Sequence, residues 1–169
     1  MHHLNRVTGL ARLLTPAILS ASASIGPEGG TIAIPEAGLS VEFPEGALTE
    51  QHSVFLSADS SLVGFHLSAS PPLPTTLARR AIIRQALDEQ HPREGLVFAK
   101  VDTITTEAAA VGFFRAHLHE GGVAVTHVWG FSGYLLASGF NAGQPCDPTV
   151  VTDGSCVWVD DGDSGEAPR

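Results

Sequence analysis

Two histidines, His117 and His119, flank Leu118. On a strand that spacing puts both imidazoles on one face, as in many metal sites. Glu107 or Glu120 would add an oxygen ligand, but no third ligand stands at motif spacing. Two solvent-facing histidines on an edge strand are the simpler reading of His117 and His119, and no metal is assigned. The run Asp160-Asp161-Gly162-Asp163-Ser164-Gly165-Glu166 has the composition of a calcium loop. It lacks the alternating Asp positions and the distant Glu of a hand-type loop, so an acidic tail is expected. Cys146 and Cys156 cannot supply the four ligands of a structural zinc site. In an oxidising compartment they would form a disulfide worth about 3 kcal/mol. No Gly-rich phosphate loop links a strand to a helix, and no nucleophile elbow presents a serine. Neither a nucleotide site nor a Ser-His-Asp triad is assigned, and no cofactor is expected.

The composition limits the partners. The chain has 169 residues, 9 basic and 18 acidic, for a net charge of −9. That balance argues against nucleic acid, whose phosphates need a basic face. No apolar run reaches the ~20 residues of a membrane helix. With 43% hydrophobic and 16% charged residues the chain is globular, not disordered. The 18 glycines and 11 prolines punctuate it more often than long helices would allow.

The elements between those punctuation marks are short. Thr31–Ile34 stops at Pro35. Leu39, Val41 and Phe43 alternate with Ser40 and Glu42, the period of a half-buried strand. Further strands are expected at 54–58, 64–67, 96–101, 109–119, 123–129 and 134–137. Residues 77–90 hold good helix formers, and an apolar stripe runs through Ala78, Ile82 and Ala86. Propensity there favours helix, whereas the surrounding pattern favours strand, and strand is taken. The expected fold is all-β, an antiparallel β-sandwich of about eight strands. Its buried residues should include Phe43, Phe55, Phe65, Ile83, Phe98 and Leu135. Residues 1–23 read as a leader or linker, 24–139 as the sandwich and 140–169 as an acidic, partly disordered tail, with 157–159 the exception. Arg6, Arg12, the apolar run 13–19 and the small residues 20–23 roughly copy a signal peptide. A linker entering the first strand is the alternative.

The stretch from Ile25-Gly26-Pro27-Glu28-Gly29-Gly30 to Phe43-Pro44-Glu45-Gly46-Ala47-Leu48 resembles the opening of the ZU-five domain. That pattern is Gly-Gly, an apolar strand, a Gly, a second apolar strand and Pro-x-Gly-Ala. Phe131-Ser132-Gly133-Tyr134-Leu135 is similar to the last strand of bacterial secreted versions. The resemblance spans about 24–138 and is specific in its first half. Between 57 and 120 only the strand rhythm matches. It implies a β-sandwich that binds an unidentified protein partner or lends structural support. It also implies an extracytoplasmic setting, secreted or periplasmic.

Some ZU-five proteins cut themselves at His-Phe-Ser. The serine hydroxyl attacks the preceding carbonyl, helped by a strained turn and by the histidine two places before it. Here Gly130 stands where that histidine would be. His127 is the nearest imidazole, and its odd offset from Ser132 puts it on the opposite strand face. Phe131 and Ser132 therefore read as a degenerate autoprocessing position. The expectation is a non-catalytic module, with self-cleavage before Ser132 as the alternative.

Overall fold

The computed structural model describes residues 6–11, 19–58, 62–73, 76–104, 107–138 and 158–159. Among them are thirteen short strands and one 3-10 turn. In chain order the strands are β1 (Arg6–Thr8), β2 (Leu19–Ile25), β3 (Gly30–Ile34), β4 (Leu39–Phe43), β5 (His52–Ala58), β6 (Gly64–Ser70) and β7 (Ala81–Ala86). They continue with β8 (Val97–Val101), β9 (Glu107–Arg115), β10 (His117–His119), β11 (Val123–Val128), β12 (Gly133–Ala137) and β13 (Trp158–Val159). They form two open sheets. The eight-stranded one runs β1-β9-β8-β12-β6-β5-β2, with β13 also on β9, and the five-stranded one runs β10-β11-β7-β4-β3. All pairings are antiparallel except the short β9–β13 contact. The expected all-β sandwich is the fold found.

Residues 81–86 form a strand, not a helix. Ala81, Ile83 and Gln85 point inward, and Arg84 points out. The inward glutamine is tolerated because its side-chain amide donates to the carbonyls of Ala37, at 2.8 Å, and Ala86, at 2.9 Å. Ala37 closes the 3-10 turn Pro35–Ala37, which ends on Gly38 in the left-handed region, φ 63°. A residue with a Cβ is strained there, so the glycine between β3 and β4 is a backbone requirement.

The core between the sheets is aromatic. Phe65 meets Phe98 at 6.3 Å and Tyr134 at 5.4 Å, and Tyr134 meets Phe114 at 5.8 Å, between ring centroids. A second buried cluster comprises Val97, Ala99, Val101, Phe113, Leu135 and Ala137, with Leu62 and Ala110. Its members alternate with the first cluster along β8 and β12, so these strands are buried on both faces. That is why Leu96-Val97-Phe98-Ala99 and Tyr134-Leu135-Leu136-Ala137 read as unbroken apolar runs.

Three expectations need correction. Phe55 is not buried: it is 45% exposed. The inward face of β5 carries His52, Val54, Leu56 and Ala58, which puts Phe55 on the outer face with Ser53 and Ser57. The sheets also reach beyond 24–139, since β1, β2 and β13 pair into the larger one. The expected strand at 109–119 breaks at Ala116: β9 stays in the larger sheet, and β10 turns to pair with β11 in the smaller.

Candidate functional site

The degenerate autoprocessing position lies where the chain leaves one sheet for the other. Strand β11 ends at Val128 in the five-stranded sheet, and β12 begins at Gly133 between β6 and β8 in the larger one. Residues 129–132 make the crossing, and hydrogen bonds hold it. The Trp129 carbonyl accepts from the Leu77 N–H at 2.8 Å, and the Ser132 carbonyl from the Leu67 N–H at 2.9 Å. The Tyr134 hydroxyl donates to the Gly130 carbonyl at 2.6 Å. Arg80 sits over the Trp129 ring at 5.1 Å, a cation–π contact. The Phe131 ring stacks on Phe43 at 5.7 Å, which ties the crossing to β4.

The Ser132 hydroxyl donates to the Val101 carbonyl at 3.2 Å. A backbone carbonyl cannot accept a proton at neutral pH, so this contact orients the oxygen without activating it. Gly133 follows because Val101 passes so close. A Cβ there would lie 2.7 Å from the Val101 carbonyl oxygen. Gly130 is different: a Cβ would meet nothing within 4 Å, and its φ is not positive. Neither space nor backbone demands a glycine at that position.

Tyr134 is wholly buried, and burial holds its hydroxyl protonated, well above the usual tyrosine range. The phenol is therefore a hydrogen-bond donor and not a base for Ser132.

A cavity of about 570 Å³ opens beside the crossing, lined among others by His66, Thr76, Lys100, Asp102, Phe131 and Ser132. His127, the imidazole nearest in sequence, lies on β11 opposite Ile82 in the other sheet. The imidazole that shares a cavity with the serine is His66 on β6, whose register partner is Gly133. No local spacing could have revealed it, because the β6–β12 pairing joins distant stretches of chain. A second cavity, of about 490 Å³, lies on the outer face of the same sheet, lined by Ser20, Ser22, Phe55, Ser57, His66 and Ser68 with their neighbours. His66 and Ser68 line both cavities.

His117 and His119 lie on β10 and are exposed, paired in register with Val125 and Val123. No group of three potential metal ligands occurs among the described residues. Cys146, Cys156 and the acidic run 160–166 lie outside the described residues. No helix is long and apolar enough to cross a membrane among the described residues. Comparison of the chain with family models and with curated proteins finds no match to either.

Proposed function

We propose that the chain is a non-catalytic β-sandwich module of the ZU-five kind, which binds a protein partner or provides structural support in a bacterial extracytoplasmic protein. The observation that carries this reading is the Ser132 hydroxyl directed at the Val101 carbonyl. A nucleophilic serine has to hand its proton to a base, and losing a positioned base costs about 10²–10⁴ in rate. The family resemblance is supported by where its motif falls: Gly29–Gly30 opens β3, Gly38 turns into β4, and Pro44–Ala47 closes the hairpin. Edge strands and the outer face around Phe55 would carry the contacts.

One observation favours the alternative, an autoprocessing domain that cuts before Ser132. His66 lines the same cavity as that serine. Denaturing mass spectrometry of the purified chain, kept for days at about pH 7–8, where imidazole is largely neutral, separates the two. A whole chain is expected. Fragments ending at Phe131 and starting at Ser132, lost in His66→Ala, would overturn the non-catalytic reading and make His66 the base.

A further inference from the structure

We infer that β2 is a self-pairing edge, through which two copies of this chain join their eight-stranded sheets about a twofold axis at Ser22. The inference deepens the reading above by naming one partner and rests on it for its purpose.

The free edges differ in how they are guarded. Edge strands are normally blunted by shortness, charge, proline or bulges. Strands β1 and β10 have three residues each. Strand β3 has five and runs directly into Pro35. Strand β2 has seven, Leu-Ser-Ala-Ser-Ala-Ser-Ile, with no charge, proline or glycine. It pairs with β5 in unbroken register from Leu19–Ala58 to Ile25–His52. Among the described residues no strand pairs with its other edge.

The sequence of β2 is a near-palindrome about Ser22. Antiparallel pairing with a second copy, centred there, sets Leu19 opposite Ile25, Ser20 opposite Ser24, Ala21 opposite Ala23 and Ser22 opposite itself. Every apolar residue then meets an apolar one on the inner face, and every serine a serine on the outer face. Leu19, Ala21 and Ala23 are only partly buried in one copy, and this pairing would cover them. Alternate residues of an antiparallel strand aim both backbone groups to one side, and an axis at Ser22 pairs them whichever set faces out. Charge does not oppose the contact. The chain carries −9, but β2 and β5 hold no Asp, Glu, Lys or Arg.

The joined surface has a defined layout. Ser22 is the register partner of Phe55, so the axis would align Phe55, Ser22 and the same pair from the second copy in one row. The two rings would stand about 14 Å apart, three strand spacings, doubling the hydroxyl-lined aromatic groove.

The test uses the full chain. Sedimentation equilibrium up to roughly 1 mM, the range of millimolar affinity, should show a dimer. Ser22→Cys should cross-link under mild oxidation as a disulfide between the substituted positions of the two copies, mapped by peptide mass apart from Cys146 and Cys156. Facing residues have Cα atoms about 4.5–5.5 Å apart, within disulfide reach. Ser20→Cys should not cross-link, because its copies would be about 14 Å apart along the seam. Ser22→Lys sets two like charges face to face and should weaken the dimer at least about fivefold, with the monomer's melting unchanged. A monomer at the top concentration, a dimer indifferent to Ser22→Lys, or equal cross-linking by Ser20→Cys would each overturn the inference. None of these outcomes bears on whether the Phe131–Ser132 bond is cut, so failure of the seam is distinguishable from failure of the module reading.

Discussion

Tyr134→Phe removes one oxygen and keeps the ring. The ring contacts with Phe65 and Phe114, at 5.4 and 5.8 Å, survive the change. What is lost is the 2.6 Å hydrogen bond to the Gly130 carbonyl, which holds the crossing from β11 to β12. A neutral hydrogen bond contributes about 0.5–1.5 kcal/mol, and a buried acceptor left without its donor costs about 1–3 kcal/mol. The Gly130 carbonyl is only partly buried, so about 1–2 kcal/mol is expected. For a chain of this size that is about 2–8 °C in Tm, from about 2–4 °C per kcal/mol. The same hydroxyl sets an alkaline limit. Tyr134 is the only tyrosine, so phenolate absorbance reports it alone. Its folded pKa is raised by burial. The folded state therefore keeps its proton where the unfolded chain has lost it, and unfolding releases protons above about pH 10. The phenol's contribution to stability is level below that pH and declines above it. Urea titrations of both proteins at pH 7 and pH 11 test this. The wild type should lose part of its advantage over Tyr134→Phe at the higher pH, and phenolate should appear only with unfolding. Equal stability of the two proteins at pH 7, or phenolate in the folded state near pH 10, would refute the reasoning.

Gly130→His places an imidazole two residues before Ser132, in open space and without a left-handed φ. It should fold within about 1 kcal/mol of wild type and show slow cleavage before Ser132 by intact mass. Gly133→Ala drives a methyl against the Val101 carbonyl oxygen and should cost about 1–3 kcal/mol in urea. Gln85→Leu removes the donor to Ala37 and Ala86 and should cost about 1–3 kcal/mol, seen in the same titration. Phe55→Ser, at a ring 45% exposed, should cost about 1–2 kcal/mol, whereas Phe65→Ala, at a fully buried ring, should cost about 3–5 kcal/mol.

Much of the fold was legible because strand burial has a period of two and glycine and proline mark its interruptions. Leu39–Phe43 and Val123–Val128 fall where alternation put them, and Thr31–Ile34 ends where Pro35 stops it. Residues 81–86 were harder, because Gln85 points inward and spoils the apolar face. Only the turn carbonyl of Ala37, contributed by distant sequence, makes that placement reasonable. Phe55 was misplaced by its size. A count of parity along Ser53-Val54-Phe55-Leu56-Ser57 puts it with the serines, and the structure agrees. Strand β2 was hidden because its small residues copy the end of a signal peptide as readily as an edge strand, and its partner β5 lies in distant sequence.

The candidate site was legible only in the part that one strand supplies. Phe131, Ser132, Gly133 and Tyr134 are consecutive, and the Tyr134 bond to Gly130 lies within the same short stretch. The groups that decide what Ser132 can do come from elsewhere. Val101, the acceptor of its hydroxyl, ends β8, and His66, which lines the same cavity, comes from β6. Both strands flank β12, so their residues are fixed relative to the serine by sheet order. Parity assumes that His127 and Ser132 share one strand, whereas the chain changes sheets between them, and it cannot count an imidazole on a neighbouring strand. What the serine can hand its proton to is therefore a property of strand order as well as of local spacing: the Val101 carbonyl that holds its hydroxyl is no base, and Gly130 supplies no imidazole.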